Sequence, residues 1–239
     1  MRTVEIWDLP TRLFKWALVM LVALSWGTGG QGGTSFIVHV VSGYLIALLI
    51  LFRLIWGFVG GEHARFAGFL RGPGAVLRHL GSLFGGKGDP HLGHTPAGGW
   101  MILLLLGWVA AIVVTGLLSR GEGYAGPLWP HLGGEGLAEL HGTLVDILPF
   151  IVGVHIVGVL LGGAAAKQSL ILAMVSGRKE AAELPPGTAD AKPAAPRAAL
   201  IALTLVAALG AAAFLATDFA GLNAEASPGP LEDEGGERD

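Results

Sequence analysis

A bundle of helices embedded in a membrane is the fold this sequence predicts, and three observations carry that expectation. Charged residues make up 14% of the 239 positions and hydrophobic ones 52%, with a mean hydropathy of +0.63. Soluble domains usually carry about 25% charged residues, so the shortfall points to surface that faces lipid. Five apolar segments, at roughly 12–28, 36–59, 98–118, 140–163 and 197–216, come close to or exceed the about 20 residues that a spanning helix needs. Lysine and arginine fall very unevenly between the segments that join them.

The first segment follows Trp7-Asp8-Leu9-Pro10-Thr11, where Asp8 or Thr11 can cap a helix and Pro10 suits its first turn. Glu5, Asp8 and Pro10 precede it and no small-residue cleavage site follows, so it is expected to be retained. After the second segment, Val76, Leu77, Leu80, Leu83 and Phe84 fall on one helical face with Arg78 and His79 on the other, the pattern of a helix lying in the membrane interface. The fourth segment contains Pro149, which neighbouring helices can accommodate. Residues 181–196 hold Pro185, Pro186, Pro193 and Pro196 and read as a flexible, Pro/Ala-rich linker to the fifth segment. Trp26, Trp56, Trp100 and Trp129 lie near segment ends, as an aromatic belt requires.

With the N-terminus in the cytoplasm, the inner side receives Arg2, Arg12, Arg65, Arg71, Arg78, Lys87, Lys167, Arg178, Lys179, Lys192 and Arg197. The outer side receives Arg120 and Arg238 alone. The positive-inside rule therefore orients the chain in a bacterial inner membrane with the tail 218–239 in the periplasm. Asp218, Glu225, Glu232, Asp233, Glu234, Glu237 and Asp239 make that tail acidic and expected to be disordered. No internal repeat of the transporter kind stands out.

There is no cysteine, which excludes disulfides, iron–sulfur clusters and a covalent c-type haem site. A redox cofactor would have to be held by histidine or weaker ligands. His141 and His155 lie 14 residues apart on the fourth segment, which separates them by about 21 Å and returns them to within about 40° of one direction. His39, at the start of the second segment, falls at the same outer depth as His141. Two neutral imidazoles facing across a bundle meet the needs of a six-coordinate haem b; a pair of separately hydrogen-bonded histidines is the other reading. Arg53 lies 14 residues after His39, at the inner level, where it suits a haem carboxylate or snorkels to headgroups. At that depth the first segment offers Lys15 as its sole nitrogen ligand opposite His155. Asp146, one turn beyond His141, is either a proton-handling group, beside a quinone for instance, or a local cap. His91 and His94 form an H-x-x-H pair without further ligands nearby. They and His63, His79 and His131 read as loop or interfacial residues.

Several motifs together resemble the bacterial cytochrome b561 and hydrogenase cytochrome-b family. They are Trp7-Asp8-Leu9-Pro10-Thr11-Arg12-Leu13-Phe14, His39-x-x-x-Gly43-Tyr44, Phe52-Arg53-Leu54-Ile55-Trp56-Gly57-Phe58 and His63-Ala64-Arg65-Phe66. Leu92-Gly93-His94-x-Pro96-x-Gly98-Gly99, Thr115-Gly116 and the His141/His155 pair complete the set, so the resemblance runs from about residue 4 to Lys179. It implies an all-α integral membrane fold: a four-helix haem-binding bundle over 1–180, to which this chain adds the linker and a fifth helix over 197–217.

The same resemblance implies an outer haem b between His39 and His141 and an inner one on His155, with Arg53, Tyr44 and Asp146 as candidate cofactor contacts. Implied too is electron transfer between a quinone pool and a periplasmic cytochrome or membrane-bound redox enzyme, with no nucleic acid involved. This chain departs at one place, because the family's first-segment histidine falls on Lys15. Three outcomes are open: Lys15 ligates as a neutral amine, His155 ligates alone, or the inner haem is absent. The last would suit a haem-poor membrane anchor of a redox complex.

Overall fold

The structure, a computed structural model, describes residues 2–84, 92–121, 124–180, 184–185 and 187–216. The acidic tail, Lys87 and His91 lie outside the described residues.

In chain order the elements are β1 (Thr3–Glu5), α1 (Leu9–Thr28), α2 (Thr34–Val59), α3 (Phe66–Phe69), α4 (Pro73–Phe84) and α5 (Pro96–Leu118). There follow β2 (Arg120–Gly121), β3 (Tyr124–Ala125), α6 (Trp129–Leu132), α7 (Leu137–Ala166), α8 (Leu170–Ser176), β4 (Arg178–Glu180) and α9 (Pro196–Ala216). Four of the helices, α1, α2, α5 and α7, are long and apolar enough to cross a membrane. Helix α9 adds a shorter apolar stretch, Pro196–Gly210, packed on α2.

Local chemistry explains where the helices begin. Asp8 caps α1, its Oδ1 accepting from Thr11 N at 2.9 Å, and Pro10 occupies the first turn. The other oxygen of Asp8 accepts from Trp56 Nε1 at 3.1 Å and Gly61 N at 3.2 Å, so one carboxylate ties the start of α1 to the end of α2. Thr95 caps α5 through Gly98 N at 3.0 Å. Helix α7 starts after Gly136, whose φ of +79° is the left-handed conformation that glycine tolerates, and runs through Pro149 unbroken.

Helix α1 packs on α2 and α5 on α7, while α2 also meets α5. Their shared core holds Phe14, Ile46, Ile50, Leu106, Val109 and Leu148, together with Phe66 and Phe69 from the connection after α2. Trp108 Nε1 donates to Leu144 O at 2.9 Å and fixes α5 against α7. Most remaining apolar side chains point outward, as lipid rather than water would require.

At the end where α1 begins, β1 pairs antiparallel with β4 in the register Val4 to Lys179. A cluster of Val4, Ile6, Trp7, Ala173 and Leu184 lies beneath the pair. Part of the linker to α9 is fastened here, contrary to the looseness its prolines suggested. Ala191 N donates to Glu5 O at 2.9 Å, Glu62 N to Lys192 O at 3.0 Å, and Lys192 N to Glu62 Oε2 at 3.0 Å. Ala202 of α9 is fully buried in a cluster with Trp56 and Ala64. Helix α4, expected from its periodicity, is present, and Leu77 and Leu80 are exposed on it.

Candidate functional site

Contacts between the helices place the ends of α1 and α5 beside the beginnings of α2 and α7. That end collects His39 from α2, His141 from α7, Ser25 from α1 and Ile112 and Thr115 from α5. His39 Nδ1 lies 2.8 Å from Ser25 O and 3.2 Å from Ser25 Oγ. His141 Nδ1 lies 2.8 Å from Ile112 O and 3.3 Å from Thr115 Oγ1.

A carbonyl oxygen only accepts, so each Nδ1 carries the hydrogen and each neutral ring keeps its lone pair on Nε2. This fixing of one ring nitrogen is what orients a metal-binding histidine and raises its basicity. The two ring centres are 6.1 Å apart, with planes at 87°. Two imidazoles sharing one metal, each bonded at about 2 Å, hold their ring centres roughly 6 Å apart. Among the described residues no group of three or more His, Asp or Glu converges in the same way.

A cavity of about 610 Å³ opens between these helices. Cofactor pockets span about 300–1,000 Å³. Its walls include Ser25, His39, Tyr44, Arg120, His141 and Asp146. Glycines shape it in two ways. A Cβ at Gly29 would stand 3.3 Å from His39 Nδ1, and one at Gly116 would stand 3.2 Å from His141 Cε1, so both clear space for a ring. A Cβ at Gly43, one turn beyond His39, would meet nothing within 4 Å and would project into space the cavity now holds. Tyr44 Oη is buried on this wall without a partner among the described residues. A flat, largely apolar macrocycle with one polar edge fits these features: two imidazoles, a glycine-lined gap and an orphaned hydroxyl. Ser25, Gly29 and Ile112 escaped the sequence reading, and Gly116 entered it as part of a motif without a role, since only the folded pairing of α1 with α2 and α5 with α7 puts them behind the histidines.

Toward the opposite end, the expected set is less well assembled. Arg53 is 2% exposed, donates from Nη1 to Ala64 O at 3.0 Å, and stacks 4.9 Å from the Phe66 ring. It therefore does not snorkel to headgroups. Lys15 Nζ sits 2.8 Å from Met174 Sδ and 4.6 Å from the centre of the Trp7 ring. His155 faces partly inward on α7 within electrostatic reach of Lys15.

His94, read as a loop residue from sequence, has its ring between those of Trp7 and Phe69, at 4.4 and 4.6 Å between centres. Both its ring nitrogens are buried without a partner among the described residues. Burial first, then the charges of Lys15, Arg53, His63 and Lys179, push it well below the usual imidazole range.

A pH dependence follows from that depression. Unfolded, His94 takes its proton near 6.5; folded, it resists protonation until lower pH. Stability should therefore fall as pH drops below about 6.5, by at most about 1.4 kcal/mol per pH unit from this residue. His63, lowered chiefly by burial and partly offset by Glu62, adds to the same trend. Melting curves in detergent between pH 7.5 and 5 should show the decline, and His94→Leu should flatten it. An unchanged slope in that variant would remove His94 as its source.

Fold and composition define a multi-pass helical membrane protein. A family model described as prokaryotic cytochrome b561 matches residues 6–177, and the chain belongs to that family. It is also similar to a protein named "Probable Ni/Fe-hydrogenase B-type cytochrome subunit" from Bradyrhizobium diazoefficiens, 24% identical over 215 residues, covering 74% of this chain and 86% of the relative. No solved structure matches the chain significantly.

Proposed function

We propose that the protein is a membrane b-type cytochrome that relays electrons between a quinone pool and a periplasmic cytochrome or membrane-bound redox enzyme. The observation that carries this reading is the His39/His141 pair: two rings 6.1 Å apart, each with Nδ1 held by a backbone carbonyl, across a cavity of cofactor size. Bound haem b supplies a one-electron iron couple there. His39 and His141 would hold it through Nε2. Ser25 O and Ile112 O keep those rings in one tautomer and one orientation, so the residues that would hold the group are oriented in advance. Tyr44 Oη and the Arg120 guanidinium, both on the cavity wall, offer donors to carboxylates. Asp146, on the same wall, is positioned to hold a proton beside a quinone.

In this reading the N-terminus is cytoplasmic, the His39/His141 end faces the periplasm, and the chain sits in a bacterial inner membrane. The name of the Bradyrhizobium relative makes a hydrogenase one partner to test first. Alone, the protein would transfer electrons without catalysing a reaction.

A second reading, a haem-poor anchor for a partner complex, is favoured by one observation. Lys15, in place of the family's histidine, is engaged with Met174 and Trp7.

The test is haem b per polypeptide in the detergent-purified protein, by pyridine haemochrome against protein mass. One or two haems per chain with a dithionite-reducible spectrum is the expected result. A colourless protein purified from haem-replete cells sinks the electron-transfer reading and leaves the anchor.

A further inference from the structure

Six buried side-chain polar atoms lack a hydrogen-bond partner among the described residues, and five of them gather where α1 begins. They are Trp7 Nε1, Thr11 Oγ1, Arg12 Nε and both ring nitrogens of His94; the sixth, Tyr44 Oη, belongs to the cavity at the other end. A buried donor left unmade is unfavourable enough that native proteins rarely leave several together. Trp7 and His94 are in ring contact at 4.4 Å, and Lys15 Nζ lies over the other side of the same neighbourhood, 4.6 Å from Trp7.

The chemistry of this group is one-sided. Trp7 Nε1 and Arg12 Nε only donate, Thr11 donates or accepts, and a neutral His94 brings one donor and one acceptor. Arg53 adds a buried cation and Lys15 a half-buried one, and Asp8 is the carboxylate in electrostatic reach of both. That carboxylate is also engaged by Thr11 N, Trp56 Nε1 and Gly61 N. Donors and positive charge therefore outnumber acceptors in this part of the fold. Two cations that share one engaged carboxylate at such a depth favour a further anion.

We infer that Trp7, Thr11 and His94, backed by Lys15, form a binding site for an anionic oxygen group, a carboxylate or a phosphate. The group has two chemical sources: a carboxylate of an inner haem or the phosphate of an acidic phospholipid. The first source rests on the cytochrome reading above; the second does not.

Native mass spectrometry of the full-length protein, purified in mild detergent, counts haem and phospholipid retained per chain. The comparison is with Trp7→Phe, which keeps an aromatic ring and deletes the N–H, and with His94→Leu. If the source is haem, both variants retain one haem fewer and the same lipid. If it is lipid, retained acidic phospholipid falls at least tenfold while the haem count stays put. Equal retention of both by wild type and variants overturns the proposal.

Should both variants misfold, the indole N–H of Trp7 in ¹⁵N-tryptophan-labelled wild type gives the answer. Its resonance should move downfield on haem loading or on adding dihexanoyl phosphatidylglycerol, and no movement with either overturns the site. Absence of all haem in the wild type would fail the cytochrome reading but leave the phospholipid arm intact.

Discussion

His141→Ala should yield a protein one haem b short per chain, and His39→Ala should do the same. Each ring supplies one side of the proposed centre, and among the described residues no further histidine lines the cavity. Around the pair stand the carbonyls of Ser25 and Ile112, the Ser25 and Thr115 hydroxyls, Tyr44, Arg120, Asp146 and apolar side chains. The double variant should be no worse than either single one, because residues that act as a unit are not additive. Thr115→Ala is the informative contrast. Its hydroxyl sits 3.3 Å from His141 Nδ1 while the Ile112 carbonyl, at 2.8 Å, remains. Loss of a supporting group of this kind usually weakens metal affinity by about 10–100-fold. With the carbonyl retained, Thr115→Ala should keep its haem and shift its midpoint potential. Haemochrome counts on the three variants check the pattern. Full haem content in both single histidine variants would move the centre elsewhere.

Much of this was legible in the sequence because lipid imposes a coarse rule. A segment without water must bond its own backbone, so long apolar runs become helices and their order sets which ends meet. That logic alone put His39 and His141 at one depth, and their rings are 6.1 Å apart in the fold. The 14-residue spacing likewise put Arg53 on the face of His39, toward the other end. It did not reveal that the side chain turns to Ala64 O and the Phe66 ring instead of to the surface. Partners of that kind come from a connection with no periodicity to read.

The same limit hid His94. One histidine before a helix cap reads as a loop residue, and its burial depends on Trp7 and Phe69 arriving from two distant parts of the chain. The pairing of β1 with β4 joins Val4 to Lys179, and strands of three residues carry too few positions for a pattern to emerge. Prolines in the linker read as a tether to the fifth segment. What they left unread is that its backbone groups bond to Glu5 and Glu62.

Where the wild type holds one haem, Lys15→His should raise the content to two per chain and add a second midpoint in a redox titration. Lys15 occupies α1 where the family carries a histidine, and His155 on α7 is within its electrostatic reach. To ligate iron, a lysine must give up its proton and offer a lone pair. Here the ammonium has other company: the Met174 sulfur at 2.8 Å and the face of the Trp7 indole at 4.6 Å. Ligation would forfeit that contact, whereas a histidine is neutral near pH 7 and carries its lone pair without cost. A wild-type protein with two haems that falls to one on Lys15→Ala would reverse this ordering and make Lys15 an iron ligand. A folded Lys15→His variant that stays at one haem would mean that the packing around Phe14, Phe66 and Phe69, not the missing imidazole, closes this half of the bundle.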